Sequence, residues 1–322
     1  MRLGLAIALL AGSGGATAAT PYQLIPGTFE AGRQPDGNSI ILDAPDGLIV
    51  IDTGRHQAQQ DKILAVAKVR GKPVAAIINT HWHLDHTGGN QEIRAAYPKA
   101  RIFASNAVVG ALSGFLRDSR KGAEEYLAGG KAAPEQKAEI RTDFAAMDDR
   151  ADLVPTNPVT ASGKRKIAGR PLDLNLAPFA ATEGDVWVYD RTTRTVFSGD
   201  LVVAFAPFLD TACVDGWFKA LDRIEATPFA TLIPGHGEPM SRTEFLQWKG
   251  AFHHFVDCAE SNAPKEQCIA GWKKDAARFI APLGTQGIDG LLGYYIDKRL
   301  RAPPIAKWAS MLMASETHTA GP

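Results

Sequence analysis

Two hydrophobic rhythms alternate along this chain. Asn38 to Asp43 and Gly47 to Asp52 are short apolar runs joined by Ala44-Pro45-Asp46-Gly47, a dense turn sequence. They predict a β-hairpin whose second strand exits through Asp52-Thr53-Gly54. Between Gln57 and Val69 the spacing becomes helical, with apolar Ile63, Leu64, Val66 and Ala67. Gly71-Lys72-Pro73 stops that helix. Val74-Ala75-Ala76-Ile77-Ile78 follows as a short buried strand. The polar run His81-Trp82-His83-Leu84-Asp85-His86 comes directly after it. A strand that delivers a polar loop at its C-terminal end is where α/β proteins place chemistry.

Arg101 to Ala104 reads as another strand. From about residue 106 to 150 the chain turns helical and charged, and Lys121 to Lys137 is rich in Ala, Glu and Lys. This predicts a helical insertion, either a lid over a site or a solvated helical face. Strand patterns return near Lys166 to Ala177, Val186 to Tyr189 and Thr195 to Ser198. An amphipathic helix follows over Gly216 to Ala226, then a strand over Ala230 to Ile233. Ser241-x-x-Glu244 is a capping box that opens a helix towards His253. The tail beyond Cys268 reads as helical to about Arg301. Two strand-rich halves around a helical insertion predict an α/β sandwich of two sheets, with helices outside and a site at one rim. The expected organisation is one domain over residues 20–240, with 241–322 a helical C-terminal extension packed on it.

Composition narrows the partners. The chain has 322 residues, 45% of them hydrophobic, enough for one large domain with a sizeable core. Lys and Arg number 35 against 35 Asp and Glu, so no electrostatic footprint for nucleic acid or an acidic membrane surface is present. No run of about 18 apolar residues occurs, so no membrane span is expected. The expected partner is a small-molecule substrate; oligomeric state is not legible. The first residues differ from the rest: Arg2, then apolar Leu3 to Ala11, then the small-residue site Ala16-Thr17-Ala18. They read as a secretory signal peptide over residues 1–19, and hence as export to the periplasm or beyond. In an oxidising compartment Cys258 and Cys268 are expected to pair, and Cys213 to be a small buried hydrophobe.

His81, His83, Asp85 and His86 fall within six residues. On an extended loop His81 and His83 point the same way, and Asp85 and His86 face differently. That set serves two neighbouring metal ions, with zinc well suited and iron or manganese acceptable. Two further strands end in Ser198-Gly199-Asp200 and Pro234-Gly235-His236-Gly237. Glycines beside His236 allow a sharp turn and a close approach.

Taken in order, Asp52-Thr53-Gly54, Thr80-His81-Trp82-His83-Leu84-Asp85-His86-Thr87-Gly88-Gly89, Thr182-Glu183-Gly184-Asp185, Ser198-Gly199-Asp200 and Pro234-Gly235-His236-Gly237 resemble the metallo-β-lactamase superfamily. The resemblance implies an αββα sandwich of two mixed sheets with one or two zinc ions at its edge. It implies that His81 and His83 belong to a first metal, that Asp85, His86 and His236 belong to a second, and that Asp200 bridges. The chain departs from the pattern at Ala181, where the family usually has a third histidine for the first metal. His56, His253, His254 and His318 are expected not to replace it. Three outcomes stay open: a first site of His81, His83 and Asp200; a single tight second site; or a fold that has lost catalysis. The leading expectation is hydrolysis of a carbonyl substrate (an ester, thioester, lactone or β-lactam) by a metal-bound hydroxide. Asp85 is then both ligand and hydrogen-bond partner of the nucleophile. The rival is an exported, catalytically degenerate metal- or ligand-binding protein. Specificity is expected in the insertion and in the segment Phe205 to Asp215, which carries Phe208.

Overall fold

A computed structural model describes residues 22–29 and 33–302; the expected signal peptide and His318 lie outside the described residues. One sheet runs in chain order: β1 (Gln23–Ile25), β2 (Ser39–Ala44), β3 (Gly47–Ile51), β4 (Val74–Ile78), β5 (Arg101–Ala104) and β6 (Asn157–Pro158). The other contains β7 (Gly163–Ile167), β8 (Arg170–Pro178), β9 (Gly184–Asp190), β10 (Thr195–Val203), β11 (Thr231–His236) and β12 (Met240–Ser241), again as sequential neighbours. Both sheets are mixed. β1–β2–β3 pair antiparallel and β3–β4–β5–β6 parallel. In the second sheet only β10 and β11 are parallel.

The strands are apolar on successive residues because both faces are covered. In β3, Ile49 and Ile51 face the second sheet and meet Leu174, Val186, Val188 and Phe197. Leu48 and Val50 face outward, onto Ile63 and Ala67 of α1 (Gln57–Arg70). α1 ends at Gly71, which takes the left-handed conformation expected of a helix C-terminus. The outer face of the second sheet is covered by α8 (Val214–Glu225) and α9 (Arg242–Glu260), through Trp217, Leu221, Phe245, Trp248 and Phe252. The fold is an αββα sandwich. Ser241 and Glu244 form the expected capping box at the start of α9. Trp272 and Tyr295, from further along the C-terminal extension, enter the same core as α8 and α9. Cys258 and Cys268 are disulfide-bonded, and Cys213 is free and buried.

Two expectations are corrected or refined. Lys166 to Ala177 is not one strand but parts of β7 and β8, antiparallel neighbours joined at Ala168 and Gly169. Both turn residues have positive φ, 46° and 83°. Gly169 suits that conformation, whereas Ala168 gives no turn signal of its own, so the reversal is invisible in the hydrophobic pattern. The insertion divides its faces. Most of the Lys121 to Lys137 stretch is solvated. Leu116, Ala146, Met147 and Leu153 instead form a small core with Trp82 and Leu84 of the histidine run.

Candidate metal centre

Alternation along the histidine run decides its geometry. Trp82 and Leu84 enter the insertion's core, which leaves His81 and His83 for the opposite side. The T-shaped ring pair of His81 and His83 has centroids 4.5 Å apart. The backbone then turns into a short helix over Leu84–Thr87, which brings Asp85 and His86 round to the same rim. β10 delivers Asp200 and β11 delivers His236, side by side because those strands are parallel neighbours. A Cβ on Gly235 would lie 2.0 Å from Oδ1 of Asp200, so glycine is required for this approach.

All six expected site residues converge. His86 Nε2 lies 3.2 Å from His236 Nε2 and 3.1 Å from Oδ1 of Asp200. His236 Nε2 lies 3.1 Å from Oδ2 of Asp85. Oδ2 of Asp200 turns the other way, 3.7 Å from His81 Nε2. Two groups result, each with its ligand atoms within 4.8 Å of one another: Asp85, His86, Asp200 and His236, and His81, His83 and Asp200.

Hydrogen bonds behind the site fix which imidazole nitrogens are bare. His86 Nδ1 is 2.8 Å from Oδ2 of Asp52, a carboxylate that only accepts, so Nδ1 carries the proton and Nε2 is free. The Thr80 hydroxyl donates to that same Asp52 oxygen at 2.7 Å, leaving its lone pairs for Nδ1–H of His81 at 3.1 Å. His81 Nε2 is therefore bare as well, and it is buried without a hydrogen-bond partner, as is Oδ1 of Asp200. Unless a proton or a cation lies between them, lone pairs that face each other across about 3 Å repel. These groups fit a cation, and the carboxylate–imidazole arrangement behind them is the support that metal-ligating histidines have.

Charge tells the same story. Burial alone would lower the His236 imidazole, but the carboxylates of Asp200 and Asp85 push it up to about 9. His86 is raised in the same way, chiefly by Asp200 and Asp85 against its burial. Asp85 and Asp200 are held well below the usual carboxylate range, His86 being the largest influence after burial, which opposes it. The centre demands positive charge, as protons or as metal. His83, by contrast, is pulled down to about 4 by burial and is neutral, the form that binds metal. Burial pushes the Asp185 carboxyl up to about 8; its Oδ2 accepts from the Thr182 amide.

The other histidines have separate partners. His56 lies between Asp36 and Glu139, at 2.8 Å from each. His253 stacks on Phe218 and His254 faces Asp275. Three contributors were not singled out for the site from the sequence. Asp52 offered a faint signal, as a carboxylate ending a strand. Thr80 and Thr211 gave none, since their roles depend on partners brought in by folding.

The family model of the metallo-beta-lactamase superfamily matches residues 32–236, which include every residue of this centre. The chain belongs to the metallo-beta-lactamase superfamily. It is similar to a linear primary-alkylsulfatase of a Pseudomonas species (strain ATCC 19151), 26% identical over 231 residues, which are 64% of this chain and 42% of that one. It also resembles a hydroxyacylglutathione hydrolase of a Synechococcus species (strain JA-2-3B'a(2-13)), 37% identical over 59 residues, 18% of this chain and 23% of that one. The chain thus spans less than half the length of these relatives. Among solved structures, a metallo-beta-lactamase from Pontibacter korlensis superposes with a TM-score of 0.52 at 17% identity, covering 72% of this chain and 94% of that one. One from Hirschia baltica gives 0.50 at 19% identity, covering 72% and 97%. The named relatives, an alkylsulfatase, a hydroxyacylglutathione hydrolase and metallo-beta-lactamases, are hydrolases.

The centre opens into a cavity of about 420 Å³. His83, Asp85, Asp200 and His236 lie on its wall, and much of the remainder is apolar. Phe115 and Leu116 come from the insertion, Phe205 and Phe208 from the loop after β10, and Leu291 and Tyr295 from the C-terminal extension. Arg55 is the only Lys or Arg among the described lining residues. It is ion-paired with Asp143 of the insertion and lies 3.9 Å from Oδ1 of Asp85.

Proposed function

We propose that this chain is a metal-dependent hydrolase of carbonyl compounds (esters, thioesters, lactones or β-lactams) that carry an uncharged, apolar body. The observation that carries the reading is the 3.2 Å approach of Nε2 of His86 to Nε2 of His236, flanked by two carboxylates at the wall of an apolar cavity. Asp85, His86 and His236 hold the second metal position, and Asp200 lies between it and the first. A divalent ion held there supplies Lewis acidity and brings the pKa of bound water towards about 7. Asp85 stays ionised, so it can both ligate and accept a hydrogen bond that orients the attacking water. Arg55 faces the Asp85 carboxylate and holds it in place. Because Arg55 is engaged with Asp143 and Asp85, the described lining offers no spare cation for an anionic substrate tail. Phenylalanine and leucine walls favour an acyl or aryl group instead.

Export to the periplasm or beyond belongs to the same reading. The Cys258–Cys268 disulfide supports it, since such bonds persist in oxidising compartments. The zinc identity rests on the imidazole–carboxylate donor set, which iron and manganese also accept. The rival reading, a non-catalytic binding protein of the same fold, draws on Ala181 and predicts metal uptake without turnover.

The test is metal analysis of the protein from its native compartment, followed by a panel of ester and thioester substrates of increasing acyl length. At least one tightly bound ion and a KM that falls with chain length are expected. Fewer than about 0.3 ions per chain after zinc loading, with no hydrolysis, would sink the proposal.

A further inference from the structure

Position 181, where the resemblance puts a third histidine for the first metal, is a buried alanine. The surrounding backbone is stitched to the loop after β10. The Cys213 amide donates to the Ala180 carbonyl at 2.8 Å, and the Thr211 hydroxyl donates to the Ala181 carbonyl at 2.9 Å. Thr211 is itself buried. Its oxygen also lies 3.1 Å from Nε2 of His83. A hydroxyl has one proton, and a carbonyl has none to give. Both contacts are hydrogen bonds only if His83 donates from Nε2, which leaves Nδ1 bare.

This is the arrangement already described for His81, by a different route. His81 is set by Thr80, which is anchored on Asp52; His83 is set by Thr211, which is anchored on Ala181. In each case a threonine whose proton is committed elsewhere accepts the outward N–H. The ring of Phe208 packs edge-on against His83, with centroids 5.1 Å apart, and limits its rotation. A nitrogen of each histidine and an oxygen of Asp200 lie within 4.8 Å of one another.

We infer that the chain keeps a first metal position without a third histidine, as a two-histidine, one-carboxylate seat for a divalent cation formed by His81, His83 and Asp200, and that Thr211 is its positioning residue. Three protein donors with a remaining open position are the count found in catalytic rather than purely structural centres. The loop that supplies Thr211 also supplies Phe205 and Phe208 to the cavity. The seat and the substrate wall are therefore fixed by one segment. The inference rests on reading the centre as a metal site.

The test is titration of the full, metal-stripped chain with Zn²⁺, and in parallel with Co²⁺, whose visible absorption reports each position's ligands. Wild type is expected to take up two equivalents. Thr211→Val, close in shape but without the hydroxyl, is expected to bind one equivalent as wild type does and the other about 10–100-fold more weakly. Thr211→Ser is expected to restore the second equivalent and its Co²⁺ spectrum. A long-range ¹H–¹⁵N spectrum of the wild-type chain should show His83 protonated at Nε2, a readout that does not depend on any variant folding. Two equivalents at wild-type affinity in Thr211→Val, or a proton on Nδ1 of His83, would overturn the role of Thr211. A single equivalent in wild type would overturn the first seat while leaving the proposed hydrolase intact. No uptake at all would overturn both.

Discussion

Oδ2 of Asp52 lies 2.8 Å from Nδ1 of His86 and 2.7 Å from the hydroxyl of Thr80, which contacts His81 in turn, so one buried carboxylate orients two histidines of the centre. Its Oδ1 accepts the Thr80 amide at 2.8 Å, which ties the start of the histidine run to the end of β3. Asp52 itself has φ 56°, a conformation that asparagine also tolerates. Asp52→Asn should therefore keep the backbone but turn one of the two acceptor oxygens into an NH2 donor, so that either the His86 Nδ1–H or the Thr80 amide loses its acceptor. Metal affinity, measured by competition with a chromogenic chelator, is expected to fall about 10–100-fold. Because a buried donor is then left without its acceptor, the metal-free melting temperature should fall as well.

At Gly235, β11 passes tightly against β10. A Cβ there would fall 2.0 Å from Oδ1 of Asp200 and 2.7 Å from the Gly199 carbonyl carbon. Gly235→Ala must push the two strands apart at the point where they present Asp200 and His236. A loss of roughly 1–3 kcal/mol in stability by denaturant titration is expected, as for other overpacked sites. Bound metal should decrease in the same variant. Unchanged metal content would show that Asp200 and His236 can separate without consequence.

These two positions also show what the sequence revealed and what it withheld. The six residues that the fold brings together were legible because candidate metal donors cluster in an unusual order, and glycine beside His236 announced a close approach. The sandwich was legible in its continuous apolar runs. The loop between Lys166 and Ala177 was not, because Ala168 turns without turn chemistry. Thr211 was not, because a threonine gains its role from residues 128 and 30 positions away, His83 and Ala181, once the loop after β10 closes over them. The split character of the insertion was also hidden: periodicity tells which side of a helix is apolar, but not that Trp82 from the histidine run is what it packs against.

His56 links the loop after β3 to the insertion through Asp36 and Glu139. The hydrogen bond that His56 donates to Asp36 is the largest influence and raises the imidazole above its ordinary value; burial opposes this and Glu139 adds to it. A group raised in this way stabilises fully below its unfolded pKa of about 6.5, and that contribution is lost as pH climbs through the folded value. Burial raises Asp36 and Glu139, but His56 and their other partners more than offset this, so both are lowered and lose their contribution only on the acid side. As pH rises beyond about 6.5, the ordinary imidazole value, the helix over Pro134–Asp148 should therefore loosen. Hydrogen exchange of its amides, corrected for intrinsic base catalysis, is expected to accelerate across that range in wild type and to be flat in His56→Ala. Equal slopes would disprove the link.

The Cys258–Cys268 bond closes a loop with a sequence separation of 10 residues at the junction of α9 and the next helix. A loop that short limits its entropic contribution to about 3 kcal/mol. Cys258→Ser with Cys268→Ser is expected to lower stability by no more than that amount and to leave metal content unchanged. Reduction of the wild-type chain should reproduce the loss, and a much larger effect would mean that Cys268, which is buried against the core, matters through packing instead.

Phe115 tests whether the insertion shapes the substrate site or merely covers it. It lines the cavity from the first residue of its helix, and its ring centroid lies 5.5 Å from that of Trp82. The residue is 39% exposed, so Phe115→Ala should cost little stability. What it removes is apolar wall. A substrate body that reaches this wall loses contact area worth about 1 kcal/mol at roughly 25 cal/mol per Å², which corresponds to a several-fold rise in KM. A short acetyl ester held near Asp85 and His236 is expected not to reach it. The expected result is a KM increase confined to long-chain or aryl substrates, with kcat for the acetyl ester retained. A uniform fall in kcat across the series would instead mean that Phe115 acts through Trp82 on the histidine run, and the insertion would then be support for the metal centre rather than part of the specificity wall.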